Sequence, residues 1–419
     1  MSTPIDTDVL VVGGGVAGAA TARLLAEAGH HVTLLDRARF PRDKPCGEGV
    51  MPTGARLLDR LGVLAKIPPT QRHVLRGVGF VVNGRHRVRG DFPDVGAGFT
   101  LGLGVKRLVL DHQVLEHARA HPAVEVRESE PAIDARWPEG GPAEVLTPRA
   151  RFRARVVVGA DGIRSLVRRK LGFGLPRGCR PRYGARAHFT FRDGQQLPDY
   201  VMVYGDPVAE CYTTPVSATE LEVALLVERG RMKSFAGRLG PAFDAYLQSL
   251  PHLREVVRGG QRTSEVLACG PFDVQARSRV ADRAILVGDA GGYLDPITGE
   301  GISSALQGAY WAAEVVDGAL RQGDLSAARL RPYQTRLEQA LGHPRALTRA
   351  VLSLVRHKRL ATIVVRRLAC CPGLYSSLLA INCGVRTFWD LSLTDLLGFV
   401  FGRRQWLRAG PDGRGGAFR

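Results

Sequence analysis

The stretch VLVVGGGVAG at residues 9–18 decides the fold of this chain. An apolar run leads into the pattern Gly13-x-Gly15-x-x-Gly18, and an Ala-rich stretch follows directly. This order predicts a buried strand that turns sharply into a helix. The first glycine allows the turn, the second lets the backbone approach a pyrophosphate, and the third lets helix and strand pack closely. We therefore predict a β-α-β unit that binds a dinucleotide.

An acidic residue completes this pattern. Asp36 lies at the end of a second apolar run, 31–35. A carboxylate at that point can accept hydrogen bonds from ribose hydroxyl groups. The start of the intervening helix, at Val16 and Ala17, offers free N–H groups and a partial positive charge to phosphates. We predict that these residues, with Asp36 and its neighbour Arg37, bind the dinucleotide; a glycine-rich turn without a ligand is the alternative.

The composition is that of an ordinary globular protein. The chain has 419 residues, of which 45% are hydrophobic and 23% charged, and this length suffices for two domains with separate cores. The net charge is +18, but only six residues are lysines and the arginines are scattered over most of the chain. Because binding to nucleic acid requires a concentrated basic patch, we expect no nucleic-acid partner.

The cysteines and the N-terminus indicate a cytoplasmic protein. The number of cysteines is odd, and no CxxC or His/Cys metal spacing occurs, which predicts free thiols, a reducing compartment and no metal site. The N-terminal segment does not have the features of a signal peptide, and no apolar run reaches the roughly 18 residues that span a bilayer. The cysteines are Cys46, Cys179, Cys211, Cys269, Cys370, Cys371 and Cys383.

The elements of the dinucleotide site are split along the chain. Two later apolar segments, 153–158 and 284–287, end in Asp-Gly and Gly-Asp motifs, and the strand-like segment 182–228 lies between them. This predicts an α/β fold in which a Rossmann-like domain is interleaved with a β-sheet-rich substrate domain, followed by a helical C-terminal region. The expected boundaries are 1–73, 101–180 and 276–343 for the dinucleotide-binding domain, 74–100 and 181–275 for the substrate domain, and 344–419 for the C-terminal region.

Three further segments carry residues suited to binding a flat, phosphorylated ligand. In 159–168 a strand ends at Asp161-Gly162, and a helix starts near Ser165. In 288–302 an acid follows a buried strand, and a proline and several glycines then let the backbone run close to a flat ligand before a helix begins. The segment 105–111 places Arg107 at the start of a helix.

Together these motifs resemble the flavoprotein hydroxylases of the para-hydroxybenzoate hydroxylase fold, and most of all their geranylgeranyl reductase-like subgroup, over about residues 8–320. The resemblance implies that the cofactor is FAD and that NAD(P)H binds transiently as the reductant. It implies that Gly13, Gly15, Gly18 and Asp36 hold the ADP half. The further FAD contacts that it implies are Cys46, Gly47, Gly49, Arg107, Asp161, Gly162, Gly288, Asp289, Pro296, Gly299, Gly301 and Ile302.

The loop KPCGEG at 44–49 resembles the Cys-Gly loop that lies against the flavin in the geranylgeranyl reductases. On this basis Cys46 is a candidate catalytic residue that tunes or gates the flavin; a buried structural cysteine is the alternative. Glu48 is a candidate general acid or base if burial raises its pKa. Its alternative is a loop carboxylate paired with Arg42 or Lys44.

The remaining motifs bear on the reaction. Where the geranylgeranyl reductases carry Tyr-x-Trp-x-Phe-Pro, residues 211–215 read CYTTP, without tryptophan, and the Trp-x-Trp-x-Ile-Pro of the flavin-dependent halogenases is absent. We expect an FAD-dependent monooxygenase that uses NAD(P)H and molecular oxygen to hydroxylate a lipophilic aromatic or polyketide-like metabolite. The alternatives are a flavin-dependent alkene saturase, which the Cys46 loop favours, and a non-redox escort module, against which the intact Asp-Gly and Gly-Asp motifs argue.

The C-terminal segment 344–408 interleaves arginines with apolar helical runs and with Phe388, Trp389 and Trp406. Such a pattern is typical of a basic amphipathic surface that rests on anionic lipid, and peripheral membrane contact is one expectation. A helical cap over the substrate pocket or a partner subunit is the other. The arginines are Arg345, Arg349, Arg356, Arg359, Arg366, Arg367, Arg386, Arg403, Arg404 and Arg408.

Overall fold

The computed structural model describes residues 4–401, apart from 83, 85, 177–180, 193 and 206–208. Arg403, Arg404, Trp406, Arg408 and Cys179 lie outside these residues. The strands are β1 (Ile5–Val12), β2 (Val32–Leu35), β3 (Gly49–Val50), β4 (Arg72–Leu75), β5 (Gly77–Val82), β6 (His86–Asp91), β7 (Gly102–Val105), β8 (Val124–Arg127), β9 (Asp134–Arg136), β10 (Ala143–Leu146), β11 (Arg151–Gly159), β12 (Arg182–Thr190), β13 (Tyr200–Gly205), β14 (Ala209–Pro215), β15 (Glu220–Glu228), β16 (Gln261–Arg262), β17 (Leu267–Cys269), β18 (Val280–Ala281) and β19 (Ala284–Leu286). The α-helices are α1 (Val16–Glu27), α2 (Pro52–Arg60), α3 (Arg107–Arg119), α4 (Leu166–Lys170), α5 (Arg229–Ser234), α6 (Leu239–Ser249), α7 (Pro251–Val256), α8 (Gly301–Gln322), α9 (Ala327–Arg356), α10 (Lys358–Ala369), α11 (Pro372–Asn382) and α12 (Leu393–Phe401).

The first sheet carries the dinucleotide motif. Its strand order is β18-β19-β11-β1-β2-β8, and β10 and β9 extend it from β11. The strands from β19 to β8 run parallel to one another. They come from separate parts of the chain, since β11 and β19 flank β12–β17, which belong to another sheet. The predicted α/β class with an interleaved β-rich part is confirmed by this topology.

Helix α1 lies between the first sheet and α8, and its composition explains how closely it packs. Ala19, Ala20 and Ala22 are fully buried, and they join residues of α3 and α8 in one hydrophobic core. Small side chains on several faces let the helix approach both the strands and the neighbouring helices. The packing fixes the start of α1 at the carboxyl edge of the sheet, where ligands of parallel α/β sheets bind.

The second sheet has the order β16-β12-β15-β14-β13-β5-β6, with β17 paired to β12. Its neighbours are antiparallel except for β13 and β5. A small third sheet, β3-β7-β4, lies against it. At Gly104 in β7 an added Cβ would lie 1.7 Å from the carbonyl oxygen of Pro215 in β14, so the two sheets meet there backbone to backbone.

Three features of the structure were not anticipated from the sequence. Strand β4 pairs with β7 in the third sheet. The segment 229–256 forms the short helices α5–α7, whose lengths are too small for a clear helical period. Helix α9 continues through Pro344, across the expected boundary at 343/344, to Arg356. The Thr348 hydroxyl donates to the Pro344 carbonyl at 2.9 Å, which adds a hydrogen bond to the helical turn that follows the proline.

The C-terminal helices leave apolar side chains on the surface. Leu360, Ile363, Leu393 and Val400 are exposed, and Trp389 retains 89% of its accessible surface. No helix among the described residues is by itself long and apolar enough to cross a membrane. The segments Arg359–Ala369 and Pro372–Asn382 meet the length and composition criteria only as a pair, with a bend of 108° between them.

Candidate active site

The turn after β1 has no space for side chains at two of its glycines. Gly13 has φ of +109°, and an added Cβ would lie 2.5 Å from the Ala160 carbonyl oxygen. At Gly18 an added Cβ would lie 1.9 Å from the carbonyl oxygen of Gly13. The Gly13 N–H donates to the Leu35 carbonyl at 2.7 Å. Only glycine therefore allows this strand-to-helix turn at both positions.

The N-terminus of α1 is suited to an anionic group. Gly15 occupies the N-cap, no side chain caps the helix, and its first turn contains no acidic residue. The first N–H groups of a helix, here around Val16 and Ala17, have no intrahelical partners. The nearest atom to a Cβ added at Gly15 is an Arg42 guanidinium nitrogen, at 3.5 Å. Backbone N–H groups and a cation thus meet where a diphosphate would bind.

Asp36 is held rigidly at the end of β2. Its side chain is buried, and Oδ2 accepts the Gly14 N–H at 2.7 Å while Oδ1 accepts the Ala38 N–H at 2.8 Å. Each carboxylate oxygen has a second lone pair, so ribose hydroxyls can still be bound. The adjacent Arg37 is exposed. This geometry fits the predicted role of Asp36.

Two further predicted acids lie after β11 and β19. The Asp161 Oδ2 atom accepts the N–H groups of Leu166 at 2.6 Å and Val167 at 3.2 Å, and so caps α4. Burial raises the pKa of Asp161, although these hydrogen bonds oppose the rise. Asp289 is more open, and the Lys44 ammonium lies 3.5 Å from its Oδ2. At Gly162 an added Cβ would meet no atom within 4 Å, which leaves that backbone accessible.

The segment before α8 brings its glycines close to the start of a long helix. Asp295 caps a short 3-10 helix by accepting the Ile297 N–H at 3.0 Å, and Gly299 ends that helix in the left-handed conformation, with φ of +69°. The 22-residue helix α8 then starts at Gly301, with no acidic residue in its first turn. Its N-terminus carries partial positive charge that can stabilise a reduced, anionic flavin. The glycine cradle, the uncapped N-terminus of α1 and the fixed Asp36 carboxylate together fit FAD.

The loop 43–49 is tied to the second sheet. Glu48 is fully buried and has φ of +54°, in the left-handed region. Its Oε1 accepts the Arg107 N–H at 2.9 Å, and its Oε2 lies 2.7 Å from His188 Nε2. The Thr214 hydroxyl donates to the Gly47 carbonyl at 2.8 Å. These contacts hold a strained loop conformation, which costs about 1–3 kcal/mol by itself.

The structure does not show the expected alternative, an ion pair of Glu48 with Arg42 or Lys44. Arg42 contacts Asp111 at 3.0 Å instead, and Lys44 contacts Asp289. Arg107 forms two hydrogen bonds to Asp111, of 2.7 and 2.8 Å. Burial disfavours its charge, but Asp111 and the neighbouring Cys46 thiol more than compensate and raise the pKa of Arg107. Its contact with FAD stays a prediction, while Arg42 is the cation near Gly15.

Cys46 lies between these groups. The residue is half-buried, and its Sγ accepts the Glu48 N–H at 3.4 Å. The Arg107 guanidinium lies beside the thiol, as the effect of the thiol on the pKa of Arg107 indicates. The catalytic role of Cys46 is still a prediction, because these contacts serve a structural cysteine equally well.

Arg186, His188 and Glu222 complete a buried polar cluster that the sequence interpretation missed. Arg186 Nη2 donates to Asp43 and to the Lys44 carbonyl, and its Nη1 lies 3.4 Å from His188 Nδ1. A guanidinium only donates, so Nδ1 accepts and the imidazole proton is assigned to Nε2, which donates to Glu48. Charged residues at alternate positions of an otherwise apolar strand could have indicated this cluster, because alternate residues of a strand lie on the same face of the sheet.

A family model described as "FAD binding domain" matches residues 6–213. The 6-methylpretetramide 4-monooxygenase of Streptomyces rimosus is 30% identical over 361 residues, which are 79% of this chain and 81% of that protein. The chain belongs to this family of FAD-binding flavoproteins. The flavoprotein is an FAD-dependent oxidoreductase, and FAD is its cofactor.

Other relatives of the flavoprotein extend the comparison. The digeranylgeranylglycerophospholipid reductase 1 of Methanothermobacter thermautotrophicus is 28% identical over 355 residues, covering 80% of the flavoprotein and 83% of that protein. The crystal structure of Pseudomonas aeruginosa PqsL in complex with 2-aminobenzoylacetate superposes with a TM-score of 0.73 at 24% identity. The superposition covers 85% of the flavoprotein and 98% of the PqsL chain, so the two proteins share the same fold.

A second ion cluster joins the sheet to the loop before α8. Arg182 donates to both oxygens of Glu210, at 2.6 and 3.1 Å, and to both oxygens of Asp295, at 3.0 and 2.9 Å. The Tyr212 hydroxyl donates to Glu210 at 3.0 Å. Burial raises the pKa of Asp295 to about 6, although Arg182 opposes the rise. Arg182 thus connects β12 and β14 of the flavoprotein to the residue that caps the 3-10 helix at Pro296–Thr298.

Two cavities lie next to these elements, and the first is lined in part by Gly288, Asp289 and Gly301, which are predicted FAD contacts. One of about 60 Å³ lies between the 288–301 segment and α9 and is lined in part by Arg345. Burial and the nearby Arg279 lower the pKa of Arg345 to about 10, so this arginine is not part of an open basic surface. The other, of about 240 Å³, is lined in part by Phe189. Phe189 follows His188 in β12 and therefore faces the opposite side of the sheet.

Proposed function

We propose that the flavoprotein is a NAD(P)H-driven monooxygenase that hydroxylates a lipophilic aromatic or polyketide-like small molecule with molecular oxygen. The observation that carries the proposal is a buried apolar layer next to the segment that precedes α8. Phe272 and Tyr293 meet edge to face there, with ring centroids 5.9 Å apart, and Tyr212 and Ile297 belong to the same cluster. Val351 of α9 packs against it.

Such a layer suits an apolar ring system. Ligand sites are typically lined by hydrophobic and aromatic side chains with a few polar groups that set orientation. The charged groups near this layer are engaged with one another, because Arg182 is paired with both Glu210 and Asp295. An uncharged, flat substrate would therefore lose little solvation on entry, and the kinship with a 6-methylpretetramide 4-monooxygenase agrees with this class of substrate.

The chain's own residues bind the cofactor and exclude water. FAD, when bound, supplies the redox chemistry that no amino-acid side chain provides. The turn 13–18 and Asp36 hold its ADP half, Asp289 and the segment 296–302 hold the rest, and the loop 43–49 lies beside it. The second sheet and α9 then keep the reacting atoms away from bulk water, which prevents loss of reducing equivalents.

NAD(P)H is proposed to bind transiently. The sequence contains a single GxGxxG motif, at residues 13–18, and FAD occupies it under this proposal. A reductant without its own Rossmann domain must reach the flavin from the open side of the site, near Asp161 and Gly162. Arg164 lies beside them, and its guanidinium donates to the Gly270 carbonyl at 3.2 Å.

The test is a product assay with isotopic oxygen. Holoenzyme is incubated with NADPH or NADH and a small panel of lipophilic aromatics and polyprenyls under heavy-isotope dioxygen, and products are analysed by mass spectrometry. Hydroxylation predicts a product that carries one heavy oxygen atom from dioxygen. A product that gains only hydrogen, or the same product without oxygen, contradicts the monooxygenase proposal.

The second candidate is an alkene saturase of the geranylgeranyl reductase type. The half-buried Cys46 beside Arg107 favours it, as does the kinship with a digeranylgeranylglycerophospholipid reductase. In that case oxygen is not consumed, and a polyprenyl substrate gains two hydrogen atoms. The anaerobic arm of the same assay separates the two reactions.

We also propose a cytoplasmic location with peripheral membrane contact through α10–α12. The exposed Leu360, Trp389 and Leu393 lie in the same region as the exposed Arg359 and Arg366, a pattern that suits an anionic lipid surface. Flotation with anionic liposomes tests this, because each basic residue near the surface adds about 1 kcal/mol at low salt. If the protein does not bind the liposomes at low salt, the membrane proposal fails and a helical cap explains the C-terminal pattern.

A further inference from the structure

Glu222 is a buried carboxyl group that the proposed chemistry leaves unused. It is the third residue of β15 and has no exposed surface. Neither carboxyl oxygen has a hydrogen-bond partner among the residues that the structure describes. An ionised carboxylate in such a place would lose its solvation without compensation, which is far more costly than burial of the neutral acid.

The charged and titratable groups that face Glu222 come from β12 and the loop 43–49, and Thr214 of β14 lies opposite Glu222 on its other side. In the register of β12 and β15, His188 is directly opposite Glu222, with Arg186 two residues away. The loop 43–49 contributes Glu48 and Cys46. Burial raises the pKa of Glu222 well above its ordinary value, the neighbouring Glu48 carboxylate raises it further, and Arg186 opposes the rise.

Glu48 and Glu222 are both buried carboxyl groups, but within the described part of the chain only Glu48 has hydrogen-bond donors around it. It accepts the Arg107 N–H and the His188 Nε2–H, and a guanidinium nitrogen of Arg186 lies 3.8 Å from its Oε1. Glu222 has none of these hydrogen bonds. Glu222, which has no hydrogen-bond partner among the described residues, is therefore the carboxyl group for which burial favours the neutral form.

We propose that Glu222 is a positioning residue for the FAD site, a neutral acid whose proton allows the loop 43–49 to lie against the second sheet. Loss of the proton from the carboxyl group to solvent puts a second negative charge beside Glu48. Repulsion between the two carboxylates then displaces the loop that carries Cys46, Gly47 and Gly49, the predicted FAD contacts. The proposal rests on FAD binding and not on the identity of the substrate.

The sign of the pH dependence follows from the raised pKa. A carboxyl group whose pKa is raised in the closed state stabilises that state at low pH and ceases to do so as pH rises through the raised value. FAD retention is therefore greatest at low pH and falls as Glu222 ionises. The affinity falls by up to about tenfold per pH unit between the ordinary pKa of the carboxyl group and the raised one, and it levels off above the raised value.

The test follows FAD release from diluted holoenzyme by flavin fluorescence, from about pH 6 to about pH 9. We expect release from the wild-type protein to increase with pH, and release from the Glu222→Gln variant to be independent of pH, because the amide cannot ionise. Glu220→Gln is the matched control in the same strand. Glu220 is partly exposed and paired with Lys106, so this variant keeps the wild-type profile.

A second measurement reports the proton directly. The infrared spectrum of the holoenzyme at neutral pH is expected to contain a protonated-carboxyl band that Glu222→Gln removes. In the wild-type protein, loss of that band should follow the same pH dependence as FAD release. This comparison needs no variant, so it tests the proposal even if Glu222→Gln does not fold. Identical pH profiles for wild type and Glu222→Gln, or a band that persists where FAD is released, would overturn the proposal. Neither outcome depends on whether hydroxylation is found.

Discussion

Replacing Arg182 with methionine removes the cation between Glu210 and Asp295 and keeps most of the side chain's volume. The side chains of Glu210 and Asp295 are 6% and 4% exposed, so both carboxylates stay buried without their shared partner. Removal of one partner from a buried ion pair costs about 3–5 kcal/mol. With an unfolding entropy of about 2.1 cal/mol/K per residue, the 419 residues give about 0.9 kcal/mol/K. The melting temperature should fall by about 3–6 °C.

The loss of stability in the Arg182→Met variant should also depend on pH. Burial raises the pKa of Asp295 to about 6 even with Arg182 present, and loss of the cation raises it further. The protonated acid therefore stabilises the folded variant at low pH, and this stabilisation is lost as pH rises through the raised pKa. Differential scanning fluorimetry should show a small difference from wild type near about pH 5 and the full difference near about pH 8.

Arg262→Met is the matched control. Arg262 donates to both oxygens of Asp244 in a similar fork, but the two side chains are 30% and 41% exposed. An exposed pair of this kind contributes less than about 1 kcal/mol, which corresponds to about 1 °C here. Equal losses for the two variants, or a loss in Arg182→Met that does not change with pH, would refute the assignment of Arg182 as a buried electrostatic link.

Three further changes test the cofactor site. Asp36→Ala removes hydrogen bonds to a charged acceptor, worth about 1.5–3 kcal/mol, so FAD affinity measured by fluorescence titration should fall about 10–150-fold; unchanged affinity means that Asp36 does not bind the ribose. Gly18→Ala places a Cβ 1.9 Å from the Gly13 carbonyl oxygen and should abolish FAD retention, whereas Gly342→Ala, where no atom lies within 4 Å, should leave it unchanged. Cys46→Ser should shift the flavin absorption spectrum or its reduction potential; a spectrum and potential identical to wild type would support a structural cysteine.

The dinucleotide-binding part could be predicted from sequence because its constraints are local. A glycine turn after a four-residue apolar run and an acid after the next apolar run fix strand, helix and strand within 36 residues. The expected helix starts at Arg107 and after the segment 288–302 agree with α3 and α8, which start at Arg107 and Gly301. Both have apolar residues at helical spacing over more than three turns, the length at which periodicity is informative.

The Glu48 cluster could not be predicted in the same way. Its members come from the loop 43–49, β12 and β15, and only the pairing of β12 with β15 brings His188 opposite Glu222. No sequence pattern gives that register, because it depends on long-range strand pairing. The sequence did mark Glu48, but its expected partners Arg42 and Lys44 are close in sequence, whereas its actual partner His188 is 140 residues away.

The C-terminal part shows a related limit. The arginine and apolar pattern predicts helices, and α9–α12 are helical. The same pattern does not distinguish arginines that face solvent from an arginine that lines a cavity, as Arg345 does. Pro344 lacks the N–H of a regular helix position, yet α9 continues through it, and Pro344 itself is buried.

Anaerobic reduction of the purified holoenzyme by NADPH or NADH, followed by absorption spectroscopy, is the sharpest test of an NAD(P)H-driven flavoenzyme. We expect a yellow protein with one FAD per chain, whose flavin absorbance is bleached by one of the two nucleotides and returns when oxygen is admitted. Protein that neither carries nor takes up FAD, or bound FAD that neither nucleotide reduces, would contradict an FAD-dependent oxidoreductase driven by NAD(P)H.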